Sequence, residues 1–129
     1  MVHQDEISNM LDVERIEYVK HEDSDCTRWL IICSIGVIVV ELLQSGEHLR
    51  IRTGPVADAV NLSPGARCDL YRRAMGANDR VMVGRFCGID YIDFEIGMSF
   101  PGRSVLFKEQ LVLAIQTAAA IAYEPGLLH

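Results

Sequence analysis

From Tyr91 to Phe100 the chain alternates strictly: Ile92, Phe94, Ile96, Met98 and Phe100 are apolar, while Tyr91, Asp93, Glu95, Gly97 and Ser99 lie between them. Successive side chains of a strand point to opposite faces, so this segment predicts a strand with one dry and one wet face. Beyond Pro101-Gly102 the period changes. Leu106, Phe107, Leu111, Ile115, Ala118 and Ile121 predict a helix capped by Ser104 and ending before Pro125-Gly126. Its Ala118-Ala119-Ala120 run permits close packing on a sheet.

Upstream, Ile7, Met10 and Leu11 fall at helical spacing among acids, predicting a short amphipathic helix over 4–14 with Asp5 and Glu6 at its dipole-favoured start. Ile16 and Tyr18 fit either its continuation or an extended segment, and the polar stretch His21 to Thr27 predicts a loop. Three strands follow at about 28–34, 36–43 and 47–53, joined by Ser34-Ile35-Gly36 and Gln44-Ser45-Gly46 turns, which gives an antiparallel meander. Ser63-Pro64 supplies a cap and first-turn proline for a helix running to about Gly76, and Asn78-Asp79 turns into a strand at 80–88. Gly88-Ile89-Asp90 connects that strand to the alternating one. The expectation is one α+β domain over 1–129, with a five-stranded antiparallel sheet and the order α-β-β-β-α-β-β-α.

The first two strands of the meander differ from the others. Beside the inward sets Trp29, Ile31, Cys33 and Ile38, Val40, Leu42, their opposite faces carry Leu30, Ile32, Val37, Val39 and Leu43. Burying both faces requires a second helix layer or another subunit. The second option makes these five residues a candidate homodimer or partner surface. In the alternative, the first and last helices cover opposite faces of one monomer.

Charge narrows the partners. The net charge of −6 is carried by residues 1–25, where eight acids face two bases (2 − 8 = −6), while the rest balances ten against ten. Nucleic acid and anionic membranes attract net positive faces, so neither is an expected partner. The uncharged runs at 29–40 and 111–123 are shorter than the ~20 residues of a membrane-spanning helix. The acidic amphipathic start does not resemble a signal peptide, and a reducing cytoplasm with free thiols is the default expectation.

Candidate chemistry is sparse. Cys26, Cys33, Cys68 and Cys87 show no CxxC spacing, and His3, His21, His48 and His129 never fall at i+3 or i+4 of one another, so no metal or redox site is indicated and the cysteines are expected as small core residues. Ser45, Glu47 and His48 cluster at a turn without a nucleophile-elbow motif, which favours a hairpin over an active site. Asp93 and Glu95 share a strand face and suit a solvated, arginine-balanced surface better than an acid pair in a cleft. Arg50, Arg52, Arg72 and Arg73 could form a patch for an anion or acidic partner. No catalytic residue, cofactor or metal is assigned.

The element order, with the run from Leu70 through Asn78, Arg85-Phe86 and the alternating Tyr91 to Phe100 strand into the last helix, resembles the YbjN family over about residues 4–124. The resemblance implies a type III secretion chaperone-like fold, often dimeric, in bacterial proteins described as proposed sensory transduction regulators without an agreed activity. It carries over no catalytic residue. The resulting expectation is a non-enzymatic module that binds a protein or peptide; the alternatives are a small anionic-ligand sensor and an enzyme whose site forms only in three dimensions.

Overall fold

A computed structural model describes residues 1–34, 36–81, 83–100 and 105–123. Its elements are α1 (Gln4–Val13), β1 (Val19–Glu22), β2 (Cys26–Cys33), β3 (Gly36–Leu43), β4 (His48–Thr53), β5 (Ala57–Asp58), α2 (Pro64–Arg80), β6 (Arg85–Cys87), β7 (Tyr91–Ser99) and α3 (Lys108–Ala122). The expected α+β architecture with an antiparallel sheet is present, with two strands more than the pattern predicts.

Register explains how the core forms. Trp29, Val40, Ile51 and Ile96 stand opposite one another across β2, β3, β4 and β7, forming a row of buried side chains on one face. All three helices lie on that side. Ile7 and Leu11 of α1 are buried there, and Trp29 Nε1 donates to Ser8 Oγ at 3.0 Å. α3 contributes Leu111, Ala114, Ile115, Ala118 and Ala122 to the same core, and α2 contributes Leu70, Ala74 and Ala77. Phe86 and Phe94 meet edge to face at 5.0 Å on β6 and β7, a geometry that favours aromatic pairs. Thr53 Oγ1 accepts from Phe94 N at 3.0 Å, satisfying a buried donor where the β4 ladder ends. Among the described residues the other face of the sheet receives no helix, and α1 and α3 share one side rather than covering opposite faces.

Other expectations need correction. β1 and the start of β2 take up His21, Glu22, Cys26 and Thr27, leaving only 23–25 of the predicted 21–27 loop, because polar Lys20, His21 and Glu22 hide an edge strand that is set by its backbone pairing with β2. Arg15, at φ 57°, ends α1 and leaves Tyr18 outside it. α2 continues past Gly76 to Arg80 because its last turn is tied down: Asn78 Oδ1 accepts from Phe86 N at 2.6 Å and Asn78 Nδ2 donates to Phe86 O at 3.0 Å. β6 therefore starts at Arg85, five residues later than expected. The expected Ser63 cap forms, its Oγ accepting from Ala66 N at 3.3 Å. α3 starts at Lys108, after Leu106 and Phe107, with Gln110 Oε1 accepting from Phe107 N at 2.9 Å. Ile35, Pro101-Gly102, Ser104 and Pro125-Gly126 lie outside the described residues.

Candidate functional site: the open face of the sheet

The face without helices has two halves, and the strand register assembles each. One row runs Val19, Leu30, Val39, Arg52, Glu95, Arg85 across β1, β2, β3, β4, β7 and β6. The next runs His21, Arg28, Glu41, Arg50, Gly97. Ile32 and Val37 pair on the other side of the first row. Leu30, Ile32, Val37 and Val39 thus form an apolar half beside Val19, while the charged residues occupy the β4 and β7 half.

Of the five residues expected at an interface, four are contiguous. Ile32 is 76% exposed and Val19, which the pattern did not single out, is 63% exposed; Leu30, Val37 and Val39 are half-buried. A shallow groove of about 180 Å³ is lined by Glu17, Tyr18, Val19, Leu30 and Ile32. Leu43 shares the face but lies past Glu41, so the charged row separates it from the other four.

Glu41 organises the charged half. Only 2% exposed, its carboxylate receives Arg28 Nε at 3.1 Å, Arg50 Nε at 3.2 Å and Arg52 Nε at 2.6 Å; the first two are aligned hydrogen bonds, and the Arg52 contact is an ion pair without that alignment. Arg28 also binds Asp23, and its hydrogen bonds to Asp23 and then Glu41 raise its pKa. Arg85 binds Glu95 at 2.8 and 2.9 Å, which raises its pKa too. Arg52 and Asp93 approach to 3.9 Å and Arg50 and Glu95 to 3.8 Å. The charges are layered. The Glu41, Glu95 and Asp93 side chains are 2%, 13% and 25% exposed, against 34%, 45% and 69% for Arg52, Arg50 and Arg85. Carboxylates form the floor and guanidinium groups the outer layer.

Arg50 and Arg52 therefore lie together, whereas Arg72 and Arg73 sit on α2 in the helix layer, where Arg72 pairs with Asp69 at 3.9 Å. The four do not form one patch. Arg28 and Glu41 were not among the residues chosen from the sequence. Glu41 did carry a signal, being the sole charged residue between Trp29 and Leu43.

The remaining candidates resolve into structural contacts. Ser45 Oγ accepts from Glu47 N at 3.3 Å within the turn, while His48 Nδ1 lies 3.1 Å from Ser99 Oγ across two strands. Ser45, Glu47 and His48 do not form a triad. Cys87 donates to Asp93 Oδ1 at 3.1 Å; burial, then that hydrogen bond, push its thiol up to about 12, away from the thiolate that nucleophilic chemistry needs. Cys33 donates to Gly36 O at 3.1 Å and Cys26 is buried, but Cys68 is exposed on α2 rather than in the core. Among the described residues no group of three His, Cys, Asp or Glu is arranged to hold a metal, and no helix is long and apolar enough to cross a membrane.

A one-sided helix layer on an antiparallel meander, closed by the β6–β7 hairpin, defines an α+β fold of the YbjN type. The chain is similar to the crystal structure of YbjN, a proposed transcription regulator from E. coli, with a TM-score of 0.64 over 95% of this chain and 90% of that one. The two share 10% sequence identity, so the likeness is one of fold. No family model matches the chain, and no curated protein does.

Proposed function

We propose that this chain is a non-enzymatic binding module of regulatory type that engages a protein segment through the open sheet face. The observation carrying this reading is the uncovered apolar half, where Ile32 and Val19 stand mostly in solvent beside Leu30, Val37 and Val39. A contiguous exposed apolar patch with a polar rim is a usual mark of an interaction surface. The neutral, hydrogen-bonded Cys87 thiol and the two-member His48–Ser99 contact favour binding over catalysis. The fold neighbour's description as a proposed regulator is in keeping with this role.

A comparison of parent protein and Ile32→Asp as capture baits tests the reading. Because Ile32 is exposed, the variant keeps its fold, and the expected result is loss of a stoichiometric protein partner or of self-association. An unchanged partner set and unchanged mass would remove the open face from the binding function. A copurifying small anion, retained by the parent and lost on Arg50→Ala, would favour a ligand sensor instead.

A further inference from the structure

Resting on the reading of the open face as a surface for a protein segment, we infer that the ionic half of this face carries a second anchor point, a notch over Gly97 that takes one tyrosine side chain of that segment. Gly97 ends the row Arg28, Glu41, Arg50, Gly97 on the outward side of β7. Nothing in the fold requires a glycine there. It has no positive φ, the β4–β7 register runs unbroken through it, and a Cβ at this position would meet no atom within 4 Å. A glycine inside a strand weakens it, and where neither turn nor bulge accounts for it, it marks a place of close approach from outside.

The notch measures about 280 Å³ and is lined by Leu43, His48, Arg50, Gly97 and Ser99. That is smaller than the pockets of drug-sized ligands and suits a single ring. Arg50 selects the kind of ring. Its guanidinium turns its edge to carboxylates, with Nε and Nη2 donating to Glu41 at 3.2 and 3.5 Å and Nη1 lying 3.8 Å from Glu95. An anion therefore finds its charge already matched. The flat faces of the group, on a side chain 45% exposed, are left for stacking, and they complement the negative face of an aromatic ring. Leu43, 41% exposed and cut off from the other apolar residues of the face by Glu41, supplies an apolar wall. His48 Nδ1 and Ser99 Oγ, 3.1 Å apart, close the notch. Whichever of the two donates, one donor is left over: Nε2–H when Ser99 donates, the Ser99 hydroxyl when the Nδ1–H does. That donor meets a phenol oxygen, which favours tyrosine over phenylalanine.

Binding of p-cresol, the tyrosine side chain as a free molecule, tests the notch when followed through the amide chemical shifts of the isotope-labelled protein. Shifts centred on Leu43, His48, Gly97 and Ser99 are expected, saturating on the order of 1 mM as befits a one-ring ligand. Methylcyclohexanol, of the same shape without π electrons, binds roughly threefold or more weakly, and inorganic phosphate moves none of these amides. Gly97→Val fills the notch with a good strand former, so it abolishes p-cresol binding with an unchanged or higher thermal midpoint. Leu43→Ala, which removes the apolar wall, weakens binding. Equal binding of methylcyclohexanol, shifts driven by phosphate instead of p-cresol, a lowered midpoint for Gly97→Val, or p-cresol binding that survives this substitution would each overturn the proposal. Ile32 stands three strands and four residues from Gly97, about 20 Å away, so Ile32→Asp leaves p-cresol binding intact. With both proteins as capture baits, a partner is expected to be lost from each. A partner lost from Ile32→Asp but held fully by Gly97→Val would remove the notch and leave the apolar half as the binding surface; a partner held fully by both would remove the two readings together.

Discussion

Glu41 shows how one residue fixes the character of a surface. Its buried carboxylate draws Arg28, Arg50 and Arg52 from three adjacent strands into one cluster, and the neutral amide of Glu41→Gln would leave three cations without their common counter-charge. Removing one partner of a buried charge cluster costs about 3–5 kcal/mol, so urea unfolding of Glu41→Gln is expected to show a loss of that order. A loss below about 0.5 kcal/mol would place Glu41 among ordinary surface positions. Cys87 gives a second expectation. Its folded pKa, about 12, lies above the ordinary 9.0, so the neutral thiol's contribution to stability is complete below 9.0 and is lost as pH rises from there towards 12. Thiol labelling of the folded protein at pH 8 is expected to modify exposed Cys68 first and Cys87 well after it. Rapid labelling of Cys87 at that pH would contradict its neutral, hydrogen-bonded state.

Elements differ in how well the sequence announces them. The β7 alternation and the β4 boundaries are legible because apolar residues at period two line a single buried face, and the β3 boundaries because Gly36 and the Gln44-Ser45-Gly46 turn bound an apolar run broken only by Glu41. β1 is hidden because an edge strand with one neighbour carries polar side chains, and Val19, its one apolar residue, faces outward. The end of α2 is hidden for another reason. Gly76 has open space around it and stays helical, while Asn78, a good turn residue locally, is claimed by the Phe86 backbone eight positions later. Tertiary hydrogen bonds override local preference there. Asn78→Ala leaves a part-buried donor and acceptor unpaired, and a destabilisation of about 1–3 kcal/mol is expected in chemical denaturation. The close approach at the start of β3 is sharper still. A Cβ on Gly36, at φ 155°, would lie 2.2 Å from the Tyr123 hydroxyl oxygen, so Gly36→Ala is expected to displace the end of α3 and lower the thermal midpoint. Gly36→Ala with an unchanged midpoint would show that Tyr123 yields freely.

At the scale of the molecule, three helices on one side of the sheet leave the other side half apolar and half ionic. The apolar half is legible in the sequence because β2 and β3 are apolar at both odd and even positions. The ionic half is not, because Arg28, Arg50, Arg52, Arg85, Asp93 and Glu95 meet only through strand register between residues far apart in sequence. The separation of Arg72 and Arg73 from Arg50 and Arg52 is likewise set by which layer α2 joins. Whether the apolar half is covered in solution is measured most directly by the maleimide labelling rate of Ile32→Cys, in the Cys68→Ser background, as protein concentration rises. The predicted result is a rate that falls as the face becomes covered, while Leu113→Cys in the same background labels at a constant rate. A rate at position 32 that stays equal to that at position 113 across the whole concentration range would contradict a covered sheet face.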